Sequence, residues 1–415
     1  MSQEIIIIGA GVSGLTAALH LESLGYSPKI YEASNSVGGR VKSDVLNDYI
    51  LDHGFQVLLT AYPMAQKYLD FDSLNLNYFK PGSYVFKNRQ KNLLGDPLRN
   101  SRFLIPTLLS KVGTISDKFK VFKLSRLLKK KSIDTIFNEK EKTTLDYLKD
   151  FGFSNLIIDD FFKPFFGGIF LETALATSSR KFEFVFKMFS EGHAAIPEKG
   201  IQAIPEQLFS KLKNTQINFN TPVQSIVGNQ LTFKDGSSQT SDYIIVATDA
   251  TNGLIANLSH QPVSWKSTQT LYFEVASKAY EDRLIALSAS SDDSIINSIC
   301  FPDTQNNEAK NHLLSVSVVK EHSHTEYELI QAVRADLKSK FDIETISFLK
   351  SFDIKKALPI IDNIQYKIHP SETQLTEHVF LAGDTVLNGS LNAAMLSGEL
   401  AAEAVHEKIT GNLFS

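Results

Sequence analysis

Four consecutive isoleucines, Ile5 to Ile8, run directly into Gly9-Ala10-Gly11-Val12-Ser13-Gly14. An apolar run of this kind reads as a strand buried on both faces, and Gly-x-Gly-x-x-Gly at its end reads as a strand-to-helix turn. Val12, Leu15, Ala18 and Leu19 then recur at three-to-four spacing, Gly25 supplies a left-handed stop, and Lys29-Ile30-Tyr31-Glu32 follows as a second strand. The pattern predicts a βαβ unit. In such a unit the first glycine permits the tight turn, the second lets backbone approach a pyrophosphate, and the third lets helix and strand pack closely. The helix N-terminus adds free N–H groups and positive potential for phosphates. Glu32, eighteen positions beyond Gly14 at the end of the second strand, is placed for ribose hydroxyls, and its charge argues against a 2′-phosphate.

A chain of 415 residues exceeds what one core usually serves, so two lobes are expected, and 43% hydrophobic content supplies them with a core. The balance of 42 basic and 46 acidic residues gives a net charge of -4, which offers no global field for nucleic acid. Cys300 is the single cysteine, so an intrachain disulfide and a cysteine metal cluster are excluded. A reducing compartment suits that composition. No run of about twenty apolar residues spans a bilayer and no signal peptide is expected, so the reading is cytoplasmic, with peripheral attachment to the inner face of a membrane as the alternative.

Beyond Gly38-Gly39-Arg40-Val41, the stretch Ile50 to Leu58 contains Asp52-His53-Gly54-Phe55, where Gly54 marks a close backbone approach. His53 reads as a histidine held in a turn, with a catalytic role as the competing reading. From about residue 75 to 190 the texture is helical. Lys118, Lys120, Lys123, Arg126 and Lys129 to Lys131 interleave there with Phe119, Phe122, Leu124, Leu127 and Leu128. The reading is a surface helix whose apolar side covers a cavity, and an anionic membrane surface is the alternative. Eleven of the 29 phenylalanines fall between residues 151 and 190, as a dense core, an apolar pocket lining, or both.

Tyr243-Ile244-Ile245-Val246-Ala247-Thr248 reads as another buried strand, and Val379-Phe380-Leu381-Ala382-Gly383-Asp384 as a last one, followed by a helix opening near Ser390-Leu391-Asn392-Ala393. Ligands sit at the ends of parallel strands in such sheets. Between them, residues 255 to 355 read as a mixed sheet with a covering helix. His322 and His324 share a face if extended but lack a third ligand, so no metal site is expected, and Trp265 has no assignable role.

The opening stretch through Gly38-Gly39-Arg40, the Val223 and Ala247-Thr248 strands, and the closing Gly383-Asp384 with its helix resemble the FAD-dependent amine oxidase superfamily. The Phe-rich segment is closer to its protoporphyrinogen oxidase and phytoene desaturase branch. The resemblance implies an α/β fold: a Rossmann-like FAD-binding domain built from residues 1–75, 190–255 and 356–415, with a mixed-sheet and helical substrate domain from 76–189 and 256–355. It places Gly9, Gly11 and Gly14 at the pyrophosphate, Glu32 at the adenosine ribose, Gly39 and Arg40 at the phosphate and ribityl side and Val223 at the adenine, with Ala10, Val12, Ser13 and Ala33 also in the cofactor site. Gly38, Gly39, Arg40, Val41, Gly54, Phe55, Ala247 and Thr248 belong to the same site, with Gly383 and Asp384 at the ribityl chain. Leu391, Asn392 and Ala393 fall at the flavin pyrimidine edge.

Cys300 is far from the C-terminal loop where relatives attach flavin covalently, so non-covalent FAD is expected. Ser390-Leu391-Asn392 stands where amine oxidases carry an aromatic residue facing the flavin, which disfavours an amine substrate. No second Gly-x-Gly-x-x-Gly occurs, so no separate nicotinamide domain is expected to reduce the flavin. The expected function is an FAD-dependent oxidoreductase, an oxidase, dehydrogenase or desaturase, taking hydride equivalents from a small hydrophobic substrate and passing electrons to an acceptor such as oxygen or a quinone. A flavin-dependent polyene isomerase, an amine oxidase and a non-catalytic flavin carrier are the alternatives. The catalytic side chain and the oligomeric state are not legible.

Overall fold

The structure is a computed structural model that describes residues 3–248, 251–255, 263–280, 283–290, 293–302 and 310–411. Five parallel strands form its first sheet, in the order Gln216–Asn218, Lys29–Tyr31, Ile5–Ile8, Tyr243–Val246 and Val379–Leu381. The four isoleucines occupy a middle position, which is why every one of them is apolar. Because side chains alternate across a strand, Ile5 and Ile7 join the helix-side core while Ile6 and Ile8 join a second cluster with Ile226, Leu231 and Val246. The helices Val12–Ser23 and Leu391–Thr410 cover the first face. The antiparallel strands Val223–Val227, Gln230–Phe233 and Ser238–Thr240 cover the second. The expected α/β architecture with a Rossmann-like sheet built from discontinuous segments is present, and its strands come from both ends and the middle of the chain.

A seven-stranded mixed sheet stands beside it, in the order Thr345–Pro359, Trp265–Val275, His312–Val318, Ser298–Cys300, Ile285–Ser288, Gly82–Lys87 and Gln90–Gly95. Its pairs are antiparallel except for Ile285–Ser288 with Gly82–Lys87. Leu329, Val333, Leu337 and Phe341, at four-residue spacing on the helix Glu326–Phe341, are buried against it. The helical reading from residue 75 needs correction. Leu76–Tyr78, Gly82–Lys87 and Gln90–Gly95 are strands, and helices begin only beyond residue 100. Asn88 and Arg89 carry φ angles of 49° and 63°, so they turn the chain back as a two-residue hairpin that has no glycine to announce it.

The Phe-rich segment divides by face. Phe162, Phe166, Phe170, Phe182 and Phe184 are fully buried core, each contributing roughly 1.5–3 kcal/mol on transfer from water. Phe165 and Phe189 are partly buried and line cavities. A π-helical turn at Ile158–Phe162 leads into the helix Lys163–Phe170. No described helix is long and apolar enough to cross a membrane.

Candidate functional site

A cavity of about 580 Å³ opens at the strand ends of the parallel sheet and extends to the seven-stranded sheet. Its floor is the fingerprint turn. Gly9 has φ +102°, and a Cβ there would stand 2.8 Å from the Ala247 carbonyl oxygen, so the turn excludes a side chain. A Cβ at Gly14 would stand 2.0 Å from the Gly9 carbonyl oxygen, which is the close helix–strand approach expected of the third glycine. Gly11 differs from both: a Cβ there meets nothing within 4 Å and faces the open cavity. Gly11 is also the N-cap of the helix Val12–Ser23, and no side chain caps that helix. Its first-turn N–H groups, with the positive end of the helix dipole, therefore face the cavity.

Glu32 lines the same wall. Its carboxylate accepts from the Ala10 N–H at 2.7 Å and from the Ser34 N–H at 2.8 Å, so it is fixed and keeps lone pairs for hydroxyl donors. The Gly38 N–H donates to the Ala10 carbonyl at 2.9 Å, which brings Gly38, Gly39, Arg40 and Val41 to the turn. Arg40 then reaches across the cavity to the Asp384 carboxylate, and its guanidinium lies 4.9 Å from the centre of the Trp265 ring. Trp265, without a role from sequence alone, is the platform for that arginine. Gly383 is held by its N–H donating to the Ser397 hydroxyl at 2.8 Å.

Val12, Ser13, Gly54, Phe55, Ala247, Thr248 and Leu391 also line the cavity, together with the residues just described. Six of the expected site residues do not line it. Ala10 and Gly14 are used in the turn itself. Ala33 is exposed beside Glu32, and Val223 starts a strand packed with the cluster around Ile8. Ala393 is buried, its N–H donating to the Ser390 hydroxyl at 3.1 Å. The Asn392 carboxamide accepts from the Met64 N–H at 3.0 Å, away from the cavity.

Other residues complete the walls. His53 lines the cavity, with Nε2 2.9 Å from the Asp44 carboxylate and its ring over Phe352. Burial opposes the charge on Asp44, but Lys350 and His53 outweigh it and hold that carboxyl below the usual range. Gln56, Thr268 and Lys356 also line the cavity, and no sequence motif marks them. Lys181 lies behind the loop that opens the C-terminal helix, fully buried, with its amine donating to the Gly389 carbonyl at 3.2 Å. Burial, then the neighbouring Lys266, pushes its pKa down to about 8. His322 and His324 precede the helix Glu326–Phe341, and His322 contacts Gln269.

The open Gly11, the uncapped helix end and the anchored Glu32 fit a dinucleotide: pyrophosphate over the turn and ribose at the acid. The remaining wall is mixed: Phe165, Val185, Phe189, Ile285 and Leu287 form an apolar patch on it, and Thr268, Asn297, Ser298, Ser317 and Lys356 stand beside that patch.

Comparison with known proteins assigns the chain to a family. The chain is 29% identical over 170 residues to protoporphyrinogen oxidase 2 of Arabidopsis thaliana, covering 40% of this chain and 32% of that protein. It is 27% identical over 272 residues to an L-amino-acid oxidase of Crotalus adamanteus, covering 59% of this chain and 51% of that protein. It thus spans about a third to a half of the length of these curated relatives. A fatty acid isomerase from P. acnes that produces CLA shares the fold, with a TM-score of 0.71 at 16% identity over 97% of this chain and 98% of that one. Residues 12–406, from the first turn of the helix Val12–Ser23 almost to the end of the last helix, match the flavin containing amine oxidoreductase family, and the chain belongs to that family of FAD-dependent enzymes.

Proposed function

We propose that this chain binds FAD non-covalently across the cavity and takes hydride equivalents from a hydrophobic organic substrate held against the phenylalanine wall. One observation carries the reading: a polar cradle at the parallel-sheet edge and an apolar patch from the helices Lys163–Phe170 and Ser179–Glu191 with Ile285 and Leu287 of the mixed sheet line the same cavity. Within it, Gly11 and the helix end behind it hold the pyrophosphate, Glu32 the ribose, and Arg40 with Asp384 the stretch between ribose and ring. The proposed division follows, with residues 1–75, 190–255 and 356–415 binding the cofactor and 76–189 and 256–355 binding the substrate.

FAD, when bound, supplies an acceptor for the hydride. The N-terminus of the helix Leu391–Thr410, where Leu391 lines the cavity, would supply positive potential to a flavin held there. Phe165, Phe189 and Ile285 exclude water and orient the substrate, so much of the barrier is met by positioning. His53, its Nε2 paired with the Asp44 carboxylate, presents an imidazole in the cavity wall. Oxygen or a quinone takes the electrons in a second half-reaction.

Anaerobic mixing of the holoprotein with detergent-dispersed polyenes, porphyrinogens and amines tests the reading. It expects one of the first two classes to bleach the flavin absorbance. Bleaching by amines alone, or by none of the three, overturns it. Turnover that requires pre-reduced flavin with no net electron transfer selects the isomerase alternative instead.

A further inference from the structure

A second, largely apolar chamber of about 420 Å³ lies beside the first cavity, and Phe165, Phe189 and Ile285 are walls of both. Its outer wall is made by the helices Leu104–Leu109 and Ile115–Lys130, through Leu104, Leu108, Phe119 and Phe122. These helices are unusual on their solvent side. Ile105 is 67% exposed, Leu109 77%, Ile115 62% and Phe119 65%. On the longer helix Ile115, Phe119 and Phe122 form a row at i, i+4, i+7, while Leu124 and Leu128 are buried against the protein. The helix therefore has two apolar faces, and among the described residues only one is buried against the protein.

The segment that builds this face is strongly basic, although Lys131 is paired with Glu139 and Glu183 and Asp96 lies on the wall of the chamber behind it. Residues 98–131 contain ten lysines and arginines against one acid, Asp117, so the segment carries +9 in a chain whose total is -4. Asp117 is itself buried, closing the capping box with Thr114 and accepting from the Ser154 N–H at 2.9 Å and its hydroxyl at 2.6 Å. The surface thus presents apolar side chains ringed by cations, and Lys123, Arg126 and Lys130 are exposed at its border. Contiguous exposed apolar surface marks an interaction site, and a basic rim around it complements an anionic headgroup layer with hydrocarbon beneath.

We infer that this face docks on an anionic lipid bilayer, with Ile105, Leu109, Ile115 and Phe119 immersed at the headgroup boundary and the basic rim on the phosphates. The chamber behind the face then opens toward hydrocarbon and leads to the wall of the first cavity, so an apolar substrate enters from the membrane without crossing water. Docking is independent of the chemistry. The delivery route rests on the proposed hydrophobic substrate.

The test uses the flavin-loaded full chain and sedimentation with phosphatidylcholine vesicles, with and without phosphatidylglycerol. The protein partitions onto the anionic vesicles and far less onto the neutral ones. Lys123→Gln with Lys130→Gln lowers the partition coefficient by about 25-fold, from roughly fivefold per charge. Phe119→Asp lowers it further at unchanged flavin content and melting temperature, because the side chain it removes is exposed. In Phe119→Trp, lipids brominated on the acyl chain quench the introduced indole, while the emission of Trp265 beside Arg40 is unaffected. The inference is overturned if the protein stays in the supernatant with both vesicle types, or if both the charge pair and Phe119→Asp leave partitioning unchanged. It is also overturned if the chain runs as a dimer that Phe119→Asp dissociates, because a second copy then covers the face. Failure to partition leaves the flavin-bleaching assay with detergent-dispersed substrate untouched, so the two failures are distinguishable.

Discussion

Gly11→Ala and Gly14→Ala place the same methyl group three residues apart, and the structure predicts opposite consequences. At Gly14 the new Cβ would stand 2.0 Å from the Gly9 carbonyl oxygen, so helix and strand must separate by about 1 Å to restore contact distance. Overpacking of this kind costs roughly 1–3 kcal/mol, paid in the folded apoprotein whether or not a cofactor is present. At Gly11 the backbone is already at φ -70°, open to any residue, and the Cβ meets nothing. The apoprotein therefore melts within a few degrees of wild type. The methyl instead fills the space assigned to the pyrophosphate. Losing one hydrogen bond from the helix end to a charged group costs about 1.5–3 kcal/mol, roughly 10- to 150-fold in FAD affinity. Thermal melts of both apoproteins and FAD titrations followed by quenching of flavin fluorescence separate the two effects. Wild-type FAD affinity in Gly11→Ala would refute the placement of the pyrophosphate.

Three further outcomes follow from the same geometry. Lys181 has its pKa lowered from 10.5 to about 8 by burial, so between those values the unfolded chain binds a proton that the folded chain has released. Stability conferred by the wild-type residue relative to Lys181→Met therefore rises with pH across that window, by about 3 kcal/mol, and a flat difference in urea midpoints contradicts the burial argument. Arg40→Met leaves the buried Asp384 carboxylate without its cation, whereas Asp384→Asn leaves a half-exposed arginine that water can solvate. Denaturation should show the larger loss for Arg40→Met, about 1–3 kcal/mol, and equal losses would mean that the pair is solvated on both sides. Phe189→Ala, which removes a wall shared by the two cavities, raises KM for an apolar substrate about tenfold with a smaller change in kcat, and an unchanged KM removes Phe189 from the substrate path.

The part of the site written in local sequence is the part that the chain builds locally. Ile5 to Gly14 is strand, turn and helix in sequence order, so the period and the glycines identify it, and Glu32 lies one helix farther on at the paired strand's end. Contacts made across hundreds of residues leave no such trace. Arg40 meets Asp384 and Trp265 only because two sheets converge, and the Asn392 carboxamide turns toward Met64 because the short helix Pro63–Tyr68 packs on the last helix. The hairpin of Gly82–Lys87 with Gln90–Gly95 was hidden by a turn of Asn88 and Arg89, and by strands such as Gln90–Gly95 whose burial is too uneven for clean alternation. The basic helix Ile115–Lys130 illustrates a third limit. Its periodicity identified an apolar face, but the sequence could not show that Leu124 and Leu128 fill the interior while Ile115 and Phe119 remain outside.

The most direct test of the account is a mass balance in a single anaerobic turnover. Holoprotein is mixed with a limiting amount of a substrate from the class that bleaches the flavin, and the product is weighed by mass spectrometry against the absorbance lost. The account predicts one equivalent of flavin reduced per product, the product two hydrogens lighter than the substrate, and the flavin recovered as free FAD after acid precipitation. A product of unchanged mass, formed without bleaching, or a flavin that stays with the precipitated protein, contradicts it.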